Sequence, residues 1–142
     1  MSAKLMDYFN KQPRLGSLST SGKDGKVDVA YFGSPRMTDE KTVVISLGNN
    51  RTLANLQENP YAVFMIMEPA QTMTEWKGVR VYLKMKEIQT SGPALEQFRA
   101  QIAQFAGEAA AKALYAYVAF ELYEIRPFAD FGQGWEKSIG LV

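Results

Sequence analysis

The sequence predicts an α+β domain, a mostly antiparallel β-barrel of six strands with short helices packed outside it. Three observations support this prediction. Six segments of strand length are either fully apolar or alternate between apolar and polar residues. The early strands follow one another through polar or glycine-containing turns, as in hairpins. Later in the chain, two long alternating segments flank a stretch with helical spacing. A barrel would also remove the edges that so many strands otherwise expose.

The strand signal is clearest in the two long segments and weakest at the start of the chain. Val79–Ile88 (VRVYLKMKEI) alternates over its whole length, which indicates a strand with one face in water. Ala62–Met67 (AVFMIM) is apolar throughout and indicates a buried strand. The segment SGKDG is predicted to be a turn because of its two glycines, and it connects the first two strands. The predicted strands are Leu15–Ser21, Val27–Phe32, Thr42–Leu47, Ala62–Met67, Val79–Ile88 and Tyr117–Ile125.

Helices are predicted in three places. Ala3–Lys11 has apolar residues on one side and stops before Pro13. Arg51–Glu58 forms a short helix that ends before Pro60. Pro93–Phe105 has apolar residues at helical spacing, and Glu108–Lys112 could extend it.

Length and composition indicate one soluble globular domain, residues 1–142. Hydrophobic residues make up 46% of the chain and charged residues 22%, and the formal net charge is +1. Sixteen basic and fifteen acidic side chains give no electrostatic case for binding nucleic acid or an anionic membrane. No apolar run reaches the roughly 20 residues that span a bilayer. The start, MSAKLMDYFNKQ, has no apolar core of a signal peptide. We therefore expect a cytoplasmic protein.

The chain contains no cysteine and no histidine. Disulfides, thiolate nucleophiles and Cys/His zinc sites are thereby excluded. A Ser-His-Asp triad and imidazole acid–base catalysis are excluded as well. The aspartates of the chain show no spacing typical of metal ligands. Any chemistry must come from a cofactor or from carboxylate, lysine, tyrosine or serine groups.

The stretch SLGNNRTLANL, residues 46–56, carries the strongest functional signal. It leads from a predicted buried strand through a turn into a predicted helix. A helix start offers free N–H groups to an anion. Arg51 adds a permanent charge with bidentate geometry, and Thr52 adds a hydroxyl donor. The same order also suits a simple helix cap, because Asn50 is a good N-cap residue. The residues alone leave both interpretations open, a phosphate site and a capped helix.

The segment VVISLGNNRTLANLQENPYAVFMI resembles the core of the pyridoxamine 5′-phosphate oxidase-like, FMN-binding split-barrel superfamily. The nearest likeness is to its small bacterial FMN-binding proteins. Their pattern is an apolar strand, a Gly-rich turn, Lys or Arg, Ser or Thr, then Asn-Leu or Asn-Val on a short helix. The resemblance also includes GKVDVAYFGS upstream and KGVRVYLKMKEIQTSGPALEQF downstream, so it runs roughly from residue 15 to residue 125. It implies a split barrel and FMN as cofactor.

The resemblance also implies roles for individual residues. Arg51 and Thr52 would hold the FMN phosphate at the turn that includes Asn50. Ser46 and Leu47 would run beside the isoalloxazine ring, and Asn55 would brace the turn. The residues that would flank the ring or the ribityl chain are Ala30, Tyr31, Phe32 and Ser34.

The family is usually a homodimer with FMN near the subunit interface, so residues of the partner would close the site. Trp76, Phe131 and Trp135 are the candidates for this role, and the tail, residues 129–142, could lie at the interface.

The sequence departs from the oxidase itself. The oxidase binds its pyridoxal phosphate with Arg and His residues near the C-terminus, whereas this chain has no histidine. Oxidase activity is therefore not expected, and neither is the chemistry of heme-degrading relatives that use a His ligand.

The function predicted is that of an FMN-binding flavoprotein that transfers electrons or hydride to a small acceptor. A nicotinamide cofactor or a redox protein would be the electron donor. Three alternatives stay open: a deazaflavin in place of FMN, an FMN carrier or sensor without turnover, and a non-catalytic barrel that binds a protein or an oligonucleotide. The net charge of +1 argues against an oligonucleotide.

Overall fold

The computed structural model describes residues 3–141 of the chain. Within this range there are seven strands and five α-helices. The strands are β1 (Leu15–Ser21), β2 (Val27–Tyr31), β3 (Arg36–Asp39), β4 (Thr42–Leu47), β5 (Tyr61–Glu68), β6 (Lys77–Gln89) and β7 (Ala116–Pro127). The helices are α1 (Ala3–Asn10), α2 (Arg51–Glu58), α3 (Pro93–Ala106), α4 (Glu108–Lys112) and α5 (Trp135–Ser138), and a 3₁₀ turn covers Met73–Glu75.

The strands form one antiparallel sheet in the order β2-β1-β5-β6-β7-β4-β3. Strand β1 and strands β3 to β7 all contribute side chains to one hydrophobic core. This arrangement fits the predicted split-barrel class. The β2–β3 connection, residues 32–35, joins the two edge strands of the sheet. Four of the five α-helices of the described chain have eight residues or fewer, as predicted, whereas α3 has fourteen. In the sequence, α3 and α4 connect β6 to β7.

The prediction of six strands was wrong by one, because β3 was missed. This strand has four residues, and Met37 is the only large apolar side chain among them. Its backbone is held from both sides. Strand β4 pairs with it on one side. On the other side Asn10, at the end of α1, donates to Met37 O at 2.9 Å and accepts from Met37 N at 2.8 Å. The side-chain amide of Asn10 thus pairs with the edge of β3 where a further strand would otherwise pair. Hydrophobic periodicity in the sequence does not predict such a contact.

Helix α1 packs its apolar side into the core of the barrel. Leu5 and Phe9 are both fully buried. The ring of Phe9 lies 5.3 Å from that of Phe64, which projects from the middle of β5. Burial of side chains of this size contributes about 2 kcal/mol each. Helix α1 is therefore an integral part of the core.

No helix among residues 3–141 is long and apolar enough to cross a membrane. The same residues contain no cluster of acidic side chains that could hold a metal ion.

Candidate functional site

The start of helix α2 is built by an asparagine cap. Asn50 has extended backbone, and its side-chain oxygen accepts the N–H of Leu53 at 3.0 Å. Its backbone oxygen accepts the N–H of Ala54 at 3.1 Å. The N–H groups of Arg51 and Thr52 donate to no acceptor in the described part of the chain. These two groups are the ones that an anion at a helix start would bind.

Arg51 is the first residue of α2, and its side chain is exposed. It forms no ion pair with any residue of the described range 3–141. Thr52 is only 3% exposed, so most of this side chain packs inside the domain. Of these two side chains, only that of Arg51 is therefore accessible at this helix start.

The side chains at the end of β4 alternate between the core and the opposite face of the sheet. Leu47 is fully buried in the core cluster, so only its backbone could approach a ligand beside the strand. Ser46 points the other way and is 4% exposed. Its hydroxyl oxygen is buried without a hydrogen-bond partner among the described residues. An unpaired buried hydroxyl is costly, since it has lost water without gaining a partner.

The β2–β3 connection lies against this end of β4. The Ser34 hydroxyl donates to the backbone oxygen of Ser46 at 3.4 Å. On both sides of Ser34, the backbone is held by the buried Arg14. The Arg14 guanidinium donates to Gly33 O at 3.0 Å and to Pro35 O at 2.8 Å. Arg14 also donates to Phe9 O, so it ties the backbone on both sides of Ser34 to helix α1.

A groove of about 250 Å³ lies between α3 and the outer face of β3 and β4. Ser34, Arg36 and Val44 line one wall of this groove. Phe98 and Tyr117 line the other, with their ring centroids 5.6 Å apart. Burial and, secondarily, the charge of Glu87 raise the pKa of Tyr117, so its hydroxyl stays protonated at neutral pH. The groove therefore combines an arginine, hydroxyl groups and an aromatic wall on the outer face of β4.

Strand β2 stands beside α2 in the structure. Ala30 and Phe32 are half-buried, and Phe32 packs against the core. Tyr31 is 63% exposed on the other face. Asn55 donates from its side-chain amide to Thr20 Oγ1 at 3.1 Å, which ties α2 to the end of β1. Asn55 therefore braces the helix against the sheet.

The three tail and loop aromatics do not join this site within the chain. Trp76 and Phe131 line a separate cavity beside the start of β6. Trp135 packs against the core and lines a hollow with residues of β7. Most of the predicted site residues lie around α2, β4 and the β2–β3 connection, and Trp135 lies away from them. Sequence reasoning missed Arg14 and the α3 wall of the groove, for which the sequence carries no local signal.

The family model described as pyridoxamine 5′-phosphate oxidase matches residues 2–128. The chain belongs to the pyridoxamine 5′-phosphate oxidase family. The match includes every segment that builds the site at α2. A search of curated protein sequences finds no match.

Several solved structures have the same fold as this chain. An FMN-binding protein from Syntrophomonas wolfei subsp. wolfei is 21% identical with a TM-score of 0.72, over 89% of this chain and 84% of that one. A FAD-binding protein from Mesorhizobium loti is 17% identical with a TM-score of 0.62, over 88% of this chain and 92% of that one. An F420 reductase is 15% identical with a TM-score of 0.62, over 84% and 94% of the two chains. At these identities the likeness establishes the fold.

Proposed function

We propose that the protein is a flavoprotein that binds FMN at the junction of β4 and α2. The observation that carries the proposal is the helix start itself. Two backbone N–H groups and the guanidinium of Arg51, all belonging to the first turn of α2, lack protein partners in the described range. A phosphate ester suits this set, because it accepts from amides and pairs bidentately with arginine. Membership of a family with FMN- and FAD-binding neighbours supports a flavin.

We propose that the flavin ring lies beside the outer face of β4. Ser34 lines the groove on the outer face of β4, and Ala30 and Tyr31 lie on the strand that precedes it. Ser46 adds a hydroxyl without a partner in the described chain. This hydroxyl is buried in the ligand-free chain, so the Ser46→Ala variant described below tests whether it contacts the flavin.

The cofactor would supply the redox chemistry, and the chain would hold and orient it. Arg51 and the free N–H groups would hold the phosphate, and the Ser34 connection would border the ring. The chain has no histidine to serve as a general acid or base. The reaction that we propose is the one that a bound flavin would supply, electron or hydride transfer from a nicotinamide cofactor or a redox protein to a small acceptor.

The first experiment is an absorption spectrum of the purified protein, with mass identification of any molecule released on denaturation. A two-band flavin spectrum and released FMN are the expected results. A colourless protein that also fails to bind added FMN would remove the basis of the proposal. SLGNNRTLANL would then be a capped helix start.

A deazaflavin is the second candidate ligand, favoured by the fold similarity to an F420 reductase. Both ligands carry a phosphate group, so the α2 site does not distinguish them. Titration of the ligand-free protein with FMN and with the deazaflavin distinguishes the two ligands. Binding of the deazaflavin alone would replace FMN in this proposal and leave the phosphate site in place.

Ser46→Ala tests how close the ligand comes to β4. Without ligand, we expect an unfolding free energy equal to that of the parent or slightly higher, because the substitution removes an unpaired buried hydroxyl. With FMN, the affinity should fall about fivefold if the hydroxyl bonds the ligand. Urea denaturation and FMN titration measure the two quantities separately. An unchanged affinity would exclude Ser46 from the binding site.

A homodimer is proposed through the outer face of β2. This edge strand exposes three apolar side chains in alternation: Val27 at 83%, Val29 at 63% and Tyr31 at 63%. An apolar row on an unpaired edge strand is a typical association surface. A second copy would cover it and would place partner residues such as Trp76, Phe131 or Trp135 near the flavin.

Val29→Lys is expected to convert the dimer to a monomer, because it puts a charge at the centre of the proposed interface. Light scattering coupled to size-exclusion chromatography measures the mass. Phe105→Lys is the matched control, since Phe105 is 87% exposed on α3 and lies on another face. A dimer that survives Val29→Lys and dissociates with Phe105→Lys would place the interface on α3 instead.

A further inference from the structure

The segment of residues 33–38, which joins the β2–β3 connection to β3, alternates between two environments. Every second side chain lines the groove on the outer face of β4: Ser34, Arg36 and Thr38. The residues between them have backbone oxygens that accept hydrogen bonds from the N-terminal part of the chain: Gly33, Pro35 and Met37. A period of two residues is that of an extended chain. One side of this segment thus borders the groove, and residues 10–14 hold the other.

The holding contacts come from two side chains. The Arg14 guanidinium donates to Gly33 O at 3.0 Å and to Pro35 O at 2.8 Å. The Asn10 side chain donates to Met37 O at 2.9 Å and accepts from Met37 N at 2.8 Å. Since β3 is an edge strand, no further strand pairs with it on this side. Asn10 therefore makes the pair of hydrogen bonds that a neighbouring strand would make.

Strand β3 is short, so the contact with Asn10 is a large part of what holds it. Its four residues pair with β4, and the register shifts between Met37 and Asp39. Without Asn10, Met37 would keep its buried side chain and lose both hydrogen bonds on the free edge. We expect the 33–38 segment then to sample more than one position. A ligand that requires one position binds more weakly, in proportion to the fraction of molecules that have it.

We propose that Asn10 is a positioning residue of the flavin site. It acts by keeping the 33–38 segment where Ser34 borders the flavin ring, without touching the cofactor itself. This inference rests on the proposed flavin site and adds to it a dependence of ring binding on helix α1. The hydrogen bonds of Asn10 go to β3 and not to α2. The phosphate contacts at the start of α2 are therefore independent of Asn10.

Fluorescence titration of parent and Asn10→Ala with FMN and with riboflavin tests this proposal. The variant should bind both compounds about fivefold more weakly. The ratio of the two affinities should stay unchanged, because the variant leaves the phosphate contacts intact. The visible absorption band of the bound flavin should also move towards that of free flavin, since a mobile segment admits water to the ring. A loss of stability alone changes neither the affinity of the folded molecules nor this band.

Asn59→Ala is the matched control. Asn59 is half-buried like Asn10, and its side chain accepts a backbone N–H, that of Tyr61, at 3.1 Å. Its removal should change neither affinity. Asn10→Gln keeps the amide on a side chain that is one methylene longer, so it should weaken both compounds less than Asn10→Ala. Urea denaturation establishes that each variant is folded, and Asn10→Gln carries the comparison if Asn10→Ala does not fold.

The outcomes separate this inference from the proposed function. Weaker binding of FMN with unchanged binding of riboflavin would overturn the inference, because the effect would then lie at the phosphate. Unchanged affinities in the Asn10 variants, or an equal loss in Asn59→Ala, would overturn it as well. In both cases the parent still binds FMN, and the proposed function stands. A parent protein that binds neither compound would instead overturn the proposed function, and this inference with it.

Discussion

Arg14→Met is expected to lower the free energy of unfolding by about 3 kcal/mol. Arg14 is only 9% exposed, and no carboxylate of the described residues pairs with it. Its guanidinium instead donates to the backbone oxygens of Phe9 at 2.6 Å, Gly33 at 3.0 Å and Pro35 at 2.8 Å. It also lies 5.2 Å from the ring centres of Phe9 and Phe64. Methionine would preserve the apolar packing and remove every donor.

The expected loss is large because the partners of Arg14 are backbone carbonyls. A buried ion pair can be replaced by apolar residues on both sides. The carbonyls of Phe9 and Pro35 cannot be replaced, and they would stay buried without a donor. Each such group costs about 1–3 kcal/mol. Gly33 is exposed, so its carbonyl can recover water, which keeps the estimate below the sum of three groups. Burial of the guanidinium lowers the pKa of Arg14.

Urea denaturation of the ligand-free protein measures this effect. Arg126→Met is the matched control, since its side chain is 46% exposed and its ion pairs lie at the surface. The unfolding free energy of Arg126→Met should fall by less than about 1 kcal/mol. Arg14→Lys should fall between the two, because one ammonium group cannot reach three carbonyls. If Arg14→Met and Arg126→Met were equally stable, the Arg14 guanidinium would contribute no more to the free energy of unfolding than an arginine at the surface.

Elements with a strong periodic pattern were predicted from the sequence, and those held by tertiary contacts were not. The alternation of β6 and the helical spacing of α3 appear in the structure at nearly the predicted bounds. Strand β3 was missed because its edge is held by the side chain of Asn10, 27 positions away in sequence. Helix α5 has four residues and is positioned by a hydrogen bond from Ser138 to Gly78 O. Neither contact leaves a local pattern.

Some parts of the candidate site could likewise be predicted from local sequence, and others depend on tertiary contacts. The strand, cap and arginine of the α2 start are consecutive in the chain, so their chemistry could be predicted from their order. Arg14 follows a proline and resembles an exposed charge, and arginine is rarely buried. Its burial depends on α1 and the β2–β3 connection, which are separated from each other in sequence. The groove wall formed by α3 likewise depends on how α3 packs against β7.

Arg51→Ala is expected to weaken FMN binding about tenfold to a hundredfold, which corresponds to roughly 1.5–3 kcal/mol for a hydrogen bond to a charged group. The side chain is exposed and unpaired within the described chain, so the unfolding free energy without ligand should change by less than about 0.5 kcal/mol. A loss of affinity without a loss of stability separates a binding role from a structural one.

Riboflavin provides the decisive comparison, because it has the ring and the ribityl chain of FMN and lacks the phosphate. Fluorescence titration of parent and variant with both compounds should show a weaker affinity of Arg51→Ala for FMN only. Arg51→Lys keeps the charge and should recover part of the affinity, since lysine lacks the bidentate geometry. Arg126→Ala changes an exposed arginine at the end of β7 away from α2 and should leave both affinities unchanged. Equal weakening of FMN and riboflavin by Arg51→Ala would place the guanidinium against the ring system and move the phosphate away from α2.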